Sequence, residues 1–328
     1  MTVKGPDIKE IRALREQLTA ETIVTPVLRC AAIETVIGGA TEVHAKLEFL
    51  QRTGTFKARG ALATLHGLSE QQLRAGVTAV SAGNHAIATA YAARTVGTTA
   101  KVVMTSSANP ARIASCHAFG AEVVLAKDVH EAFDVAERIQ NEEDRFFVHP
   151  FEGPSVALGT GTVGLEICEQ VPEFDVLLVP IGGGGLIAGI ANAVKQLRPD
   201  CEIIGIEPTG ADSMHRSRKA GEPQAIEKVS TIADSLGAPF AMPYSFALTE
   251  KNVDRLVLVD DDQLRRSMGF LFRMMKLAVE PACAASTAAL MAPLRDELRG
   301  KRVVLVMCGS NIDWNTFEEQ VIFDDGIA

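Results

Sequence analysis

The sequence predicts an α/β chain built on two open, mostly parallel sheets covered by helices. Three observations lead there. The chain has 328 residues, more than one hydrophobic core usually organises, so two lobes are the default expectation. Its strand-length runs are apolar throughout, the pattern of strands buried on both faces. Helical patterns lie between those runs, as the crossovers of parallel sheets require.

In chain order, the first element is a helix. Ile8, Ile11, Leu14 and Leu18 recur at helical spacing behind Pro6-Asp7, with Asp7 as N-cap and Glu10 completing a box-like cap. Strand-like runs follow at residues 77–81, 101–105, 122–126, 176–181, 203–207, 256–259 and 303–308. Helical patterns fill 85–95, 110–119, 129–139, 186–197 and 262–277. No internal repeat or low-complexity linker interrupts the chain, and composition alone draws no domain boundary.

Composition narrows the function classes. A net charge of −9 and the absence of a basic run interleaved with aromatics argue against nucleic-acid binding. No stretch approaches the roughly 20 apolar residues of a membrane span. The start, from Met1 to Asp7, lacks the apolar core of a signal peptide. Cys30, Cys116, Cys168, Cys201, Cys283 and Cys308 are scattered, which suits reduced, mostly buried thiols in the cytoplasm better than disulfides or a zinc knuckle.

The unusual clusters all follow strand-like runs, where open parallel sheets bind ligands. Gly182, Gly183, Gly184 and Gly185 stand between Ile181 and Leu186. Four glycines lose much conformational entropy on folding, so the turn needs a reason. Successive amides converging on an anion at a helix N-terminus is one; a tight turn with close helix–strand packing is the other. No Lys-Ser/Thr follows, so this is not a Walker loop. Lys57, behind Phe56 in Thr53-Gly54-Thr55-Phe56-Lys57-Ala58-Arg59-Gly60-Ala61, is either a half-buried nucleophilic amine or a surface lysine at a helix start. Ser81, Ala82, Gly83, Asn84 and His85 either present donors to a carboxylate or simply cap a helix.

Together the segments T-F-K-A-R-G-A, S-A-G-N-H-A and I-G-G-G-G resemble the fold-type II pyridoxal-phosphate (PLP) enzymes, within them the serine/threonine dehydratase and serine racemase branch. Val148-His149-Pro150, Gly205-Ile206-Glu207-Pro208, Thr231-Ile232-Ala233-Asp234, Glu280-Pro281 and Cys308-Gly309-Ser310-Asn311 extend the resemblance over nearly the whole chain. It implies a two-domain fold like the β subunit of tryptophan synthase. Residues 1–70 and 150–328 would form the large PLP-binding domain and 71–149 a small mobile one. Lys57 would carry the cofactor and act as base, Phe56 would flank its ring, and Asn84 would bond its phenolic oxygen. Gly182, Gly183, Gly184, Gly185 and the Leu186 amide would hold the phosphate. Ser81, Ala82, Gly83, Asn84 and His85 would grip the substrate carboxylate, with Ser81 as acid or base on the opposite face.

Cys308 would face the pyridine nitrogen. A neutral thiol there leaves the ring a weaker electron sink than a carboxylate would, which favours prompt loss of a β-leaving group. The reaction implied is loss of water from L-threonine, L-serine or an analogue such as 3-hydroxyaspartate, giving a 2-oxo acid and ammonia. An amino-acid racemase using Lys57 and Ser81 is the nearest rival, and a catalytically silent PLP- or nucleotide-binding protein a remote one. Phe151 after His149-Pro150, as in many threonine dehydratases, tips the balance toward elimination.

The resemblance also implies a homodimer and a cation site at Glu207, Ala211 and Ser213. Ser213 stands where relatives carry an acidic residue, so Mg²⁺ or another divalent ion competes there with a monovalent ion or water. With the chain ending at Ala328, no room is expected for a C-terminal regulatory domain and its feedback inhibition.

Overall fold

The capped first helix forms as its spacing requires. In the computed structural model, which describes residues 3–323, Asp7 caps helix Ile8–Gln17 and Glu10 reaches back to the Asp7 amide. Met1, Thr2 and the end at Ala328 lie outside the described residues.

The strands are β1 (Val27–Arg29), β2 (Glu42–Leu47), β3 (Val77–Val80), β4 (Ala100–Thr105), β5 (Glu122–Ala126), β6 (Phe146–Phe147), β7 (Val176–Pro180), β8 (Glu202–Pro208), β9 (Arg255–Val259) and β10 (Arg302–Met307). They form two sheets. One has the order β1-β2-β10-β7-β8-β9, parallel except for antiparallel β1. The other has the order β5-β4-β3-β6 and is all parallel, drawn from residues 77–147. The expected two-sheet α/β class holds, and the strands read from apolar runs are found within a residue of their bounds.

Some elements lay beyond the apolar-run criterion, and one predicted helix ends early. Strand β2 carries Lys46 among apolar neighbours, and that lysine is fully buried by ion pairing. Helices Pro154–Gln170 and Pro281–Met291 are buried almost all round and rich in Gly and Ala, so neither has the polar stripe that marks a surface helix. Helix Asp261–Met275 ends short of Leu277 because Lys276 adopts the left-handed conformation.

The helix Pro154–Gln170 is the central spacer. It packs against Ile8–Gln17, Lys57–His66 and Gly185–Leu197. Gly159 and Gly189 allow the approach: a Cβ on Gly159 would lie 2.3 Å from the Arg59 carbonyl oxygen, and one on Gly189 would lie 2.4 Å from that of Ala157. The start of the Lys57 helix and the start of Gly185–Leu197 are thereby held at one crevice, at the carboxyl ends of the large sheet. No helix among the described residues is long and apolar enough to cross a membrane.

Candidate active site

The loop before Lys57 is stitched to the end of β10. The Phe56 amide donates to the Cys308 carbonyl at 3.2 Å, Ser310 donates to Gly54, and Thr55 bridges to Gly309. Thr55 also accepts the Lys57 amide through its hydroxyl, at 3.0 Å. Lys57 therefore begins its helix facing Cys308. Its ammonium nitrogen donates to the Pro150 carbonyl at 2.6 Å and lies 5.2 Å from the centre of the Phe56 ring. Burial pushes its pKa down to about 8, against the smaller opposing pull of Cys308 and Glu280. The neutral, nucleophilic amine is thus a minor but far larger fraction near neutral pH than for an ordinary lysine. The surface-lysine alternative is set aside.

Opposite Lys57 is the glycine loop. None of the backbone N–H groups of Gly182, Gly183, Gly184, Gly185 and Leu186 finds an acceptor among the described residues. They stand at the N-terminus of helix Gly185–Leu197, where its dipole favours an anion. Close packing also calls for glycine here, beside the open amides. Gly184 has φ +89°, and a Cβ on Gly183 would fall 2.3 Å from the Phe151 ring. Phe56, Lys57, Asn84, the residues 182–186, Ser235, Glu280 and Cys308 line one cavity. Every residue expected to hold the cofactor is brought to it.

Cys308 is buried at its far wall. A hydrogen bond with Cys283 and burial both raise its thiol pKa, so it stays neutral. All six cysteines are free and buried, as expected of reduced thiols.

The segment after β3 enters helix Asn84–Val96 with Gly83 at the cap position and no side-chain cap, so Asn84 is no capping residue. Its amide instead donates to Glu280 at 2.8 Å and Ser235 at 3.0 Å, while its oxygen accepts from Asn311 at 2.8 Å. Ser81 Oγ accepts the Gly83 amide at 3.1 Å, which leaves its own proton free to donate. The amides of Ala82, Asn84 and His85 have no acceptor among the described residues. With Lys57, residues 81–85 line an adjoining open cleft, so the expected carboxylate loop faces the expected amine.

Several residues at the site carried no role in the sequence. Glu280 is fully buried; burial outweighs the nearby Arg112 charge and raises its pKa to about 7. Arg112, from the small-sheet region, pairs with Asp234 and donates to the Asn311 carbonyl at 2.9 Å, a latch across the cleft. His149 Nδ1 accepts two backbone amides, from Phe151 at 3.2 Å and Glu152 at 2.9 Å, and burial lowers its pKa to about 4. Its other ring nitrogen therefore carries the proton. The only sequence signal for these residues was their place in the quoted motifs; Arg112 had none.

Glu207, Ala211 and Ser213 lie apart from the cavity. Both Glu207 oxygens accept backbone amides, from Met214 at 2.8 Å and His215 at 2.7 Å, at the start of helix Ser213–Ala220. Ser213 Oγ is buried with no partner, and no group of three metal-type side chains occurs among the described residues.

The family model described as "Pyridoxal-phosphate dependent enzyme" matches residues 18–309. A Ralstonia pickettii protein named phenylserine dehydratase is 53% identical, over 96% of each chain. An L-threonine ammonia-lyase from Thermotoga maritima is 38% identical, over 95% of this chain and 76% of its own. Maize serine racemase superposes with a TM-score of 0.90 at 32% identity, covering 96% of this chain and 97% of the other.

Proposed function

The chain belongs to the pyridoxal-phosphate-dependent enzyme family, and from that footing we propose that it is a dehydratase. It would remove water from a 3-hydroxy-2-amino acid to give a 2-oxo acid and ammonia. The observation that carries the reading is the convergence, on one cavity, of a buried amine, five unpaired amides and a neutral thiol. That set fits the cofactor: an amine to bind its aldehyde, an anion cradle for its phosphate, and no carboxylate at the ring position assigned to Cys308.

Bound there, pyridoxal phosphate supplies an electron sink at the substrate α-carbon. The remaining roles belong to the chain. Lys57, once its amine is free, takes the α-proton. The amides of Ala82, Asn84 and His85 hold the substrate carboxylate against a fixed edge, and Ser81 donates from its hydroxyl. Phe56 covers one side of the ring, and residues 182–186 fix the phosphate. Asn84, whose amide hydrogens go to Glu280 and Ser235 and whose oxygen accepts from Asn311, would exchange one of those donor bonds to reach the phenolic oxygen. Cys308, kept neutral, leaves β-elimination as the favoured exit.

Substrates to be tested follow from the relatives' names and from the resemblance: L-threonine, L-serine, 3-phenylserine and 3-hydroxyaspartate. The working form is read as a cytoplasmic homodimer of two-domain chains, with residues 71–149 as the moving part. A cation at Glu207, Ala211 and Ser213 would have to share carboxylate oxygens that already accept backbone amides.

One assay panel tests the reading: each amino acid, with and without chelator, followed for 2-oxo acid and for inverted amino acid. The expected result is 2-oxo acid plus ammonia, with Lys57→Ala lowering kcat by at least about 10³-fold. Recovery of inverted amino acid as the main product would make the chain a racemase. Full dehydratase activity in Lys57→Ala would remove Lys57 from its role.

A further inference from the structure

The cleft beside Lys57 is walled unevenly. An aromatic row runs from His149, at the end of the small-domain segment, into the large-domain side. His149 meets Phe151 edge-on at 4.7 Å and 89°, and Phe151 lies 6.1 Å from Phe240, tilted by 54°. Gly237, Ala238 and Pro239 line the same cleft as Phe240. From the small-sheet region come Val129 and Phe133, one helical turn apart at the start of helix Val129–Glu143.

Val129 and Phe133 are out of place as core residues. That helix buries Ala132, Ala136 and Ile139, whereas Val129 is 57% exposed and Phe133 43% exposed. They line the same cleft as Lys57, residues 81–85 and Phe240. An exposed apolar pair at the mouth of a cavity marks a surface that a ligand covers.

We propose that Phe133 and Phe240 select the substrate's β-substituent, which lies between the two domains and is an aryl group in preference to a methyl group or hydrogen. The assignment rests on the dehydratase reading and names the residues that choose among its substrates. Two observations favour an aryl group. Aromatic rings prefer tilted and edge-on neighbours, the geometry already present along His149, Phe151 and Phe240, so a substrate ring extends the row. Of the cleft-lining side chains among the described residues, only Lys57 and Arg112 are cationic, and Arg112 is engaged by Asp234 and Asn311. A second carboxylate, as in 3-hydroxyaspartate, finds no free cation beside Lys57. Because Phe133 stands on a helix of the small-sheet region and Phe240 on a loop of the large-sheet region, an aryl substrate also gains most when the cleft is closed.

The test is the ratio of kcat/KM for 3-phenylserine to that for L-threonine, in the holoenzyme and in Phe133→Ala, Phe133→Leu and Phe240→Ala. The expected parent ratio is above one. It falls at least about tenfold in each alanine variant, through KM more than kcat, and recovers in part in Phe133→Leu. In parallel, L-phenylalanine inhibits the parent more strongly than L-alanine does, and loses that advantage in the alanine variants. A parent ratio at or below one overturns the proposal while leaving the dehydratase reading intact. So does a fall in both substrates alike, the signature of a merely structural role. If neither substrate yields 2-oxo acid this assignment fails, and if L-serine and 3-hydroxyaspartate yield none either, the dehydratase reading fails with it.

Discussion

Helix Lys57–His66 separates two sets of buried ionisable groups that the protein treats in opposite ways. Behind it, Arg59 donates to Glu48 at 2.8 and 2.9 Å and to Glu166 at 2.7 and 2.8 Å, while Lys46 donates to Glu166 at 2.6 Å. Two cations meet two carboxylates, and all four are buried. Burial alone would depress the arginine, but Glu48 and Glu166 more than reverse it, and its pKa is raised. Burial likewise opposes ionised Glu48, yet Arg59 leaves its pKa lowered. In front of the helix, Lys57 and Glu280 each lack a hydrogen-bonded partner of opposite charge, with Arg112 3.7 Å from Glu280, and burial moves both toward neutrality, to about 8 and about 7. Pairing holds Arg59 and Glu48 in their charged forms, although burial still lowers the pKa of Lys46 in the same cluster. Unpaired burial stores reactivity.

The contrast can be broken most forcefully at Arg59. Replacing it with Met leaves Glu48 facing only Thr25 and leaves Glu166 with Lys46 alone, so an uncompensated carboxylate stays in the core. The expected loss is about 3–5 kcal/mol of folding free energy by denaturant titration. A loss under about 1 kcal/mol would show the cluster to be structurally idle.

A smaller but sharper comparison applies one substitution on both sides. Glu166→Gln removes a charge that Arg59 and Lys46 depend on, and is expected to lower stability by about 2–3 kcal/mol. Glu280→Gln, measured near pH 6, replaces a carboxyl that is already largely protonated, and stability should change by less than about 1 kcal/mol. Equal losses would mean that Glu280 is held as an ion, and the contrast between the two faces would fall.

The same division explains what could be read from the chain. The parallel sheets were legible because burial on both faces writes itself as continuous apolar runs, as in β7 and β10. Lys57, the glycines and Asn84 were legible because their chemistry is local: an amine after an aromatic, amides without side chains, an amide in a small-residue loop. Strand β2 and helix Pro154–Gln170 were not. Their identity depends on Lys46 and Glu166 neutralising each other across 120 positions of sequence. Glu280 and Arg112 escaped for a related reason: each looks like an ordinary charged residue until the fold buries one and latches the other across the cleft. Phe133 resembled any apolar position in an amphipathic helix, and only the tertiary fold brings its side chain to the cleft.

The smallest expected effect concerns pH and tests the unpaired side alone. Glu280 has a folded pKa near 7, above the ordinary value of 4.5, because burial penalises its charge. Between those values the folded state keeps a proton that the unfolded chain releases, so the associated stability is fully present below the unfolded pKa. It is lost as pH rises through the folded pKa. Folding free energy of the apoprotein should therefore decline from about pH 5 to about pH 7, with this one carboxyl contributing on the order of 1 kcal/mol per pH unit. Glu280→Gln has no proton to lose at this position, so its decline should be shallower by that amount. Parallel profiles for parent and variant would show that Arg112, 3.7 Å away, holds Glu280 ionised after all, and would move it to the paired class with Glu48 and Glu166.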